Sequence, residues 1–501
     1  MQRSRTSGIL LHPTSLPGRH GSGDLGPEAH AFLGELERAK IGLWQMLPIA
    51  PPGYGESPYS AQSAFAGSPW LVSLDLLAER GWLAKSAIAN PPVFPDDRVD
   101  FAPMSAWRER HLRVAHDVFR QDEDAQRHYE AFQARESEWL GDFALYRAIK
   151  RSEGNVEWTK WPRDLKLRTP GALKKARLEL ADEIAFETFV QFCFDEQWQK
   201  LHAAAKKKNV ALVGDIPIFV AHDSADVWQK PHEFFLDGEG NPTVISGVPP
   251  DYFSTTGQRW GNPLYRWKRM KKGGYAWWVS RLQTMLRRFD RIRVDHFIGF
   301  QRYWRIDASE PTAVNGKWMK GPGADFFQTL RDRLGPLPLI AEDLGAVTPA
   351  VFALRDRFEL PGIKILQFAF GTDPNKDTFL PHNYPKRSVV YTGTHDNDTT
   401  VGWFFDEGGS SSTRSKDEIV NERAAVLRYL GSTTQEDIHW QMIRAGMASV
   451  ADTAIFPMQD VLGLGSEARM NRPGRADGNW AWRMKPGAFG TKEIERLAEL
   501  S

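Results

Sequence analysis

The feature of this sequence that most constrains its fold is a repeated pairing of an amphipathic helix with a short apolar strand. Phe186, Val190 and Leu201 recur at helical spacing, Asn209 breaks that pattern, and the apolar run VALVGDIPIF follows. The same order recurs before RIRVDHF, LPLIAEDLG and IKILQFAF. Helices that alternate with buried strands predict a parallel sheet with helices packed against it.

The number and spread of these strands favour a closed barrel over an open sheet. No GxGxxG follows the first strand, which also argues against a dinucleotide-binding fold. The eight strands are predicted at GILLH, IGLWQMLPI, VALVGDIPIF, RIRVDHF, LPLIAEDLG, IKILQFAF, VVYTGTHDN and TAIFPM. We therefore predict an α/β fold in which residues 1–501 form a single (β/α)8 TIM barrel.

Two connections between predicted strands are too long to be plain loops. The first covers about residues 50–185, after the second strand, and the other covers about residues 220–275, after the third. Insertions of this length usually carry binding surface rather than core. We predict one inserted subdomain in each interval.

Composition narrows the functional class. The formal net charge is +1, which leaves no basic excess for binding nucleic acid. The single cysteine, Cys193, cannot form an intrachain disulfide, and the four-residue apolar stretch before His12 is too short for a signal peptide. No apolar run approaches the roughly 18 residues of a membrane span. We expect a cytoplasmic protein without nucleic-acid or membrane partners.

Acidic residues follow four of the predicted strands. They are Asp215, Asp295, Glu342 and Asp396. A carboxylate directly after an apolar strand is costly unless it is paired or solvated. Because the active site of a (β/α)8 barrel lies at the carboxyl ends of its strands, this register predicts a cluster of catalytic carboxylates.

The neighbours of two carboxylates predict different protonation states. Arg293 lies two positions before Asp295 and so on the same face of the strand, where it can keep that carboxylate ionised for nucleophilic attack. The alternative is a pair that only stabilises the barrel. Glu342 follows the apolar LIA, and burial would help it keep its proton, as a general acid must. The alternative is a helix-capping acid, and Asp343 should point the other way.

Asp396 follows His395, and two polar side chains at a strand end could hold neighbouring hydroxyls of one sugar. A metal site is the competing interpretation, since His296 also follows a strand. The histidines are scattered and show no HExxH or HxH spacing, so we expect neither a metal nor a cofactor. GxSxG is absent, which argues against a serine hydrolase.

Two Gly/Pro-rich loops add aromatic and polar groups. GYGESPYSAQSAFAGSP offers Tyr59, and GVPPDYFSTTGQRWGNPLYRW offers Asp251, Gln258 and Trp260. Aromatic rings that alternate with hydrogen-bonding groups suit the recognition of sugars. Ordinary loop packing is the alternative.

With these motifs in place, the sequence resembles the 4-α-glucanotransferases known as amylomaltases or disproportionating enzymes, which belong to the α-amylase clan. The resemblance covers nearly the whole chain. It is carried, in order, by SGILLHPTSLPG, GYGESPYS, GDIPIFVAHDSADVW, GVPPDYFSTTGQRWGNPLY, RVDHFIGF, AEDLG and THDN. The family lacks the C-terminal β-sandwich of most amylases, and only about forty residues follow the eighth predicted strand here.

The resemblance implies a role for each carboxylate. Asp295 would be the nucleophile that forms a covalent glycosyl-enzyme, Glu342 the general acid and then base, and Asp396 the carboxylate that holds sugar hydroxyls in the transition state. The implied donor-sugar subsite consists of Asp215, Arg293, His296 and His395. The implied contacts elsewhere along the glucan groove are Tyr59, Asp251, Gln258, Trp260 and Phe368.

The predicted activity is transfer of α-1,4-glucan segments to the 4-hydroxyl of an acceptor glucan or glucose, by a retaining double displacement. The substrates would be α-1,4-glucans and maltooligosaccharides. Tyr59, Asp251 and Trp260 in the insertions, with Asn471 after the eighth strand, are available to position the acceptor. An α-1,4-glucan hydrolase remains an alternative because both enzymes share one intermediate. A non-catalytic glucan-binding protein is a further alternative, although such proteins usually lose a catalytic carboxylate.

Overall fold

The computed structural model of the protein describes residues 5–250, 254–408, 414–475 and 477–501. Its described strands are β1 (Thr6–Leu10), β2 (Leu43–Gln45), β3 (Ala211–Pro217), β4 (Val244–Val248), β5 (Gln258–Pro263), β6 (Arg291–Asp295), β7 (Arg302–Asp307), β8 (Gly316–Lys320), β9 (Leu339–Ala341), β10 (Gly362–Ile365), β11 (Ser388–Tyr391) and β12 (Thr453–Pro457).

Eight of these strands close into a parallel barrel. They follow one another around the barrel in chain order, as β1, β2, β3, β6, β9, β10, β11 and β12, and β12 pairs with β1. Each of the eight strands predicted from the sequence is one of them. The prediction of a (β/α)8 TIM barrel is therefore confirmed. After β12 the described residues form no further strand, so they contain no C-terminal β-sandwich.

Helices connect most of the barrel strands and cover the outside of the barrel. They are α1 (Pro27–Arg38), α2 (Leu74–Glu79), α3 (Phe101–Phe119), α4 (Glu123–Arg135), α5 (Leu140–Ser152), α6 (Arg163–Lys166), α7 (Pro170–Glu179), α8 (Ala181–Lys207), α9 (Ala225–Gln229), α10 (Trp267–Lys272), α11 (Ala276–Arg288), α12 (Ile298–Gln301), α13 (Gly323–Leu334), α14 (Pro349–Arg357), α15 (Thr400–Phe404), α16 (Lys416–Leu430), α17 (Ile438–Met447), α18 (Met458–Val461) and α19 (Thr491–Leu500). None of the helices in the described part of the chain is both long and apolar enough to cross a membrane.

One connection departs from the regular alternation of strand and helix. Between β10 and β11 the chain makes only short 3-10 turns. Pro374, Pro381 and Pro385 lie in that connection, and proline in a helix interior removes a backbone hydrogen bond and clashes with the preceding turn. The missing helix therefore has a cause that is visible in the sequence.

A second, antiparallel sheet lies outside the barrel, with the strand order β5-β4-β7-β8. The predicted insertion at about 220–275 supplies only β4 and β5. The other two strands come from the chain after β6, where the sequence analysis predicted no strand. The assignment of about 50–185 and about 220–275 as inserted subdomains of one barrel at 1–501 stays a prediction.

The pairing of β3 with β6 determines which side chains share the barrel mouth. Asp215 is the register partner of Arg293, and Pro217 is the partner of Asp295. Gly214, next to Asp215, has its Cα hydrogens toward the helix layer, where a Cβ atom would come within 2.5 Å of the Phe289 ring. Phe289 in turn meets Trp198 of α8 edge to face. The missing side chain of Gly214 thus lets the helices lie close to β3.

We expect Gly214→Ala to lower the stability of the protein by about 1–3 kcal/mol, because the added methyl group overpacks a filled core. Gly171→Ala is the matched control: Gly171 lies in α7 with nothing within 4 Å of its Cβ direction, so alanine should leave stability unchanged or raise it slightly. Urea unfolding followed by circular dichroism measures both. Equal unfolding midpoints for the two variants would contradict this account of the β3 packing.

Candidate active site

One guanidinium group joins two carboxylates at the carboxyl ends of β3 and β6. Nη1 of Arg293 lies 2.8 Å from Oδ2 and 3.0 Å from Oδ1 of Asp215, and 2.9 Å from Oδ1 of Asp295. Asp215 and Arg293 are buried, whereas 28% of the Asp295 side chain is exposed. The buried positive charge of Arg293 thus fixes the position of the partly exposed Asp295 carboxylate.

Burial and ion pairing shift the pKa values of Asp215 and Arg293 in opposite directions. Burial raises the pKa of Asp215 to about 6, although Arg293 opposes the shift. Burial also disfavours the charge on Arg293, but Asp215 and Asp295 outweigh it and raise the pKa of the guanidinium well above its ordinary value. Arg293 therefore stays charged. A permanent positive charge thus lies 2.9 Å from Oδ1 of Asp295.

Glu342 directly follows β9, and burial is the largest influence on its pKa. Burial raises its pKa to about 8, with the charge of Asp295 as the next cause. Its Oε2 accepts a 2.7 Å hydrogen bond from the His296 backbone N–H, and Oε1 accepts one from Leu344 at 3.2 Å. These bonds fix the orientation of the carboxyl group and only partly offset the rise in pKa.

Asp343 points away from Glu342, as the alternation along the strand predicts. It pairs with Arg355 of α14 and accepts a 2.9 Å hydrogen bond from the Ile363 backbone N–H. Of the two adjacent acids, Asp343 therefore stabilises the junction of helix and strand, and Glu342 faces the barrel mouth.

His296 has a positive φ of 52°, an uncommon conformation for a residue with a side chain. This turn directly after β6 aims its backbone N–H at Glu342. Burial lowers the pKa of the imidazole to about 4, so the ring is neutral near pH 7, and its Nε2 is buried without a partner among the described residues. Trp260 meets the ring edge to face at 4.7 Å, and its Nε1 donates to Gln258 Oε1 at 3.1 Å.

Asp396 belongs to a second group, after β11. Nδ2 of Asn471 donates to Oδ1 of Asp396 at 2.6 Å, and Nε2 of His395 lies 3.4 Å from Oδ2. Arg469 fixes both loops: Nη2 donates to the backbone carbonyl of Asp396 at 2.7 Å, and Nε donates to that of Asn471 at 2.8 Å. Nearly half of the Asp396 side chain is exposed, so the carboxylate is held in place and open to a ligand.

Tyr59 connects the two groups of carboxylates. Its hydroxyl donates to Oδ2 of Asp215 at 2.8 Å, and its ring stacks on His395 with centroids 5.0 Å apart. Trp480 packs against both rings. The contacts thus bring together, at one mouth of the barrel, Tyr59, Asp215, Arg293, Asp295, His296, Glu342, His395, Asp396 and Asn471, with Trp260 and Gln258 beside His296.

Sequence reasoning missed Arg469 and Trp480. A single arginine or tryptophan in a loop does not by itself indicate a functional site. Both residues reach the site only because of the path that the chain takes after β12. Phe368 is partly exposed just after β10, with its ring edge-on to Phe379, and its place in a glucan groove stays a prediction. Asp251 lies outside the described residues.

No group of three or more His, Cys, Asp or Glu side chains in the described part of the chain is arranged to hold a metal ion. The expectation that catalysis needs no metal stays a prediction.

The described groups of the site can perform acid–base and nucleophilic chemistry on carbon. They combine a carboxylate beside a buried guanidinium group, a carboxyl group whose pKa is raised to about 8, and a third, half-exposed carboxylate.

Comparison with known proteins agrees with this chemistry. The family model described as 4-alpha-glucanotransferase matches residues 11–489. The 4-alpha-glucanotransferase of Thermus thermophilus is 48% identical, with 100% of this chain and 99% of that protein covered. The chloroplastic/amyloplastic 4-alpha-glucanotransferase of Solanum tuberosum is 42% identical, with 96% of this chain and 82% of that protein covered.

A solved structure extends the similarity to three dimensions. The amylomaltase from Streptococcus agalactiae, solved in complex with acarbose, superposes with a TM-score of 0.94 at 36% identity, and the alignment covers 99% of this chain and 98% of that one. The fold, the family match and these relatives agree along almost the whole chain. This chain belongs to the 4-alpha-glucanotransferase family.

Proposed function

We propose that this protein transfers α-1,4-glucan segments from a donor to the 4-hydroxyl of an acceptor glucan or glucose, with Asp295, Glu342 and Asp396 as its catalytic residues. The observation that carries this proposal is the contrast between two neighbouring acids. Arg293 donates a hydrogen bond to Oδ1 of Asp295 at 2.9 Å, whereas burial raises the pKa of Glu342 to about 8. This difference between the surroundings of the two carboxyl groups supports Asp295 as the nucleophile and Glu342 as the acid.

In the first step, Asp295 attacks the anomeric carbon of the donor sugar. Oδ1 is bound to Arg293, and Oδ2 makes no hydrogen bond with the described residues, so Oδ2 is the oxygen available for attack. The bond between the anomeric carbon and the glycosidic oxygen breaks as Glu342 gives its proton to that oxygen. The products are a covalent glycosyl-enzyme and a shortened glucan.

In the second step, Glu342 acts as the base. It takes the proton of an acceptor 4-hydroxyl, whose oxygen bonds to the anomeric carbon while the bond to Asp295 breaks. Two inversions at one carbon retain the α configuration. Asp396, held by Asn471, would bind hydroxyls of the same sugar, and these contacts strengthen as its ring flattens toward the transition state.

The remaining groups are assigned to binding. Asp215, Arg293, His296 and His395 would line the donor sugar, and the His296 Nε2 is a buried polar atom available to it. Tyr59, Gln258 and Trp260 would continue the groove, with Asp251 and Phe368 as further expected contacts. The substrates would be α-1,4-glucans and maltooligosaccharides. We include a cytoplasmic location in the proposal, and the single cysteine, which is buried, is consistent with it.

Transfer or hydrolysis depends on what attacks the intermediate. Water is always present and competes with the acceptor for the intermediate. An acceptor that is bound in the right orientation can reach an effective molarity of about 10⁵ M or more, which lets it react faster than water. The exposed face of Trp260 and the amide of Asn471 lie at the barrel mouth and offer a stacking surface and a hydrogen-bonding group for an acceptor sugar. These contacts favour transfer over hydrolysis.

We expect maltotriose alone to be converted into glucose together with maltopentaose and longer chains. Total reducing ends should stay nearly constant, because each bond broken is matched by one formed. Chromatography of the products and a reducing-end assay measure the two quantities, with Asp295→Asn as the inactive control. A steady rise in reducing ends without longer chains would show a hydrolase and contradict the proposal.

We also expect kcat/KM for maltotriose to fall on the alkaline side of about pH 8. Glu342 has its pKa raised to about 8, so it holds its proton below that pH and loses it as pH rises through that value. Once it is ionised it cannot protonate the leaving oxygen, and the rate should drop about tenfold per pH unit. Initial rates across a pH series measure this limb.

α-Maltosyl fluoride provides the control for this pH profile, because fluoride leaves without a proton. Its kcat/KM, followed by fluoride release, should lack the alkaline fall near pH 8. If both donors lost activity with the same midpoint, the titrating group would not be the acid of the first step, and the role given to Glu342 would be wrong.

A further inference from the structure

A cavity lies beside the carboxyl end of β3, and Tyr59 and Asp215 of the sugar site are among its lining residues. The loop after β2, the carboxyl end of β3 and one face of α11 surround about 30 Å³ of empty space. One water molecule needs about 10–15 Å³ of such space, so the cavity has room for one small ion or a pair of waters. Its polar lining includes Ser63, Arg281 and Arg288, and Asp215 borders it.

Arg281 is the first unusual feature of this cavity. Only 2% of the residue is exposed, and Nη2 donates to the Pro217 carbonyl at 2.8 Å. Nε and Nη1 are buried without any partner among the described residues. The guanidinium lies over Trp278 at 4.8 Å, which compensates part of the charge but provides no acceptor for the two N–H groups.

Arg288 lies two helical turns further along α11 and lines the same cavity. It is 9% exposed, and Nη1 donates to the Phe65 carbonyl at 2.7 Å. Burial lowers its pKa to about 10, so it remains charged near neutral pH. Within the described residues neither arginine has a carboxylate at ion-pair distance. Asp226, a carboxylate that interacts electrostatically with Arg281, is itself buried and accepts a hydrogen bond from the Ala64 backbone N–H at 2.8 Å.

Other buried arginines of this chain show how such a group is usually satisfied. Arg108 pairs with Asp24, and Arg293 pairs with Asp215 and Asp295. Arg483 donates to three backbone carbonyls, and its Nε, like that of Arg108, is buried without a partner among the described residues. Buried charges without a partner are unfavourable, so two unpaired guanidinium groups around one cavity call for a negative ligand.

Ser63 supplies a further donor. Its hydroxyl oxygen accepts from the backbone N–H groups of Phe65 and Ala66, both at 3.1 Å, which leaves its hydrogen free to donate. The carboxylate that borders the cavity, Asp215, is already committed to Arg293 and Tyr59. Ser63, Arg281 and Arg288 therefore each offer a hydrogen-bond donor to the cavity.

We propose that this cavity binds a small monovalent anion of the halide class, coordinated by Arg281, Arg288 and the Ser63 hydroxyl. The size of the cavity excludes a sugar or a phosphorylated metabolite. The cavity lies between β3 and α11, so the bound anion would stabilise the packing of that helix on the strand.

Thermal unfolding in chloride or bromide, compared with gluconate at the same ionic strength, tests this proposal. Gluconate is too large to enter, so the halides should raise Tm in a saturable manner by about 2–4 °C. Arg281→Gln should abolish the halide dependence. Arg287→Gln is the matched control, because Arg287 is on the same helix but pairs with Glu136 at 2.7 Å, and the halide dependence should persist.

Anomalous diffraction from wild-type crystals grown in bromide gives an answer that does not depend on any variant folding. We expect a bromide peak between Arg281, Arg288 and Ser63. An empty or water-filled cavity at saturating bromide would overturn the proposal. So would a halide effect on Tm that survives Arg281→Gln, because the ion would then bind elsewhere.

Discussion

The site depends on one buried positive charge, the guanidinium of Arg293, held between two carboxylates. Asp215 on the neighbouring strand offsets much of the free-energy cost of burying the Arg293 charge. The same nitrogen of Arg293, Nη1, also donates to Asp295 at 2.9 Å. A buried ion pair that loses one partner costs on the order of 3–5 kcal/mol, so the three groups are fixed as a unit. Because β3 and β6 pair with Asp215 beside Arg293, the register of the barrel determines where the carboxylate of Asp295 lies.

The same constraint explains why neighbouring acids behave differently. Asp295 is partly exposed and has a permanent cation beside it, whereas burial and the nearby charge of Asp295 raise the pKa of Glu342 to about 8. The positive φ of His296 adds a backbone N–H that orients Glu342 without supplying a full positive charge. Ionising one carboxyl group thus helps the other to stay protonated.

The parts of this arrangement that depend on local sequence could be predicted. A polar residue after an apolar strand marks the barrel mouth, and the two-residue spacing of Arg293 and Asp295 puts them on one face. The pairing of Arg293 with Asp215 could not be derived by spacing, because it depends on the stagger between two strands. Asn471 was only a candidate and Arg469 was missed, because the chain path after β12 brings them to Asp396 through contacts distant in sequence.

The central claim is that Asp295, held in place by Arg293, forms the covalent bond to the sugar. Peptide mapping of a trapped intermediate tests it most directly. Glu342→Gln treated with α-maltosyl fluoride should accumulate a glycosyl-enzyme, since fluoride needs no proton to leave and the base for the second step is absent. Mass spectrometry should locate the added maltosyl mass on Asp295. Its location on Asp215 or Asp396, or fluoride release with no adduct at any time, would contradict the account.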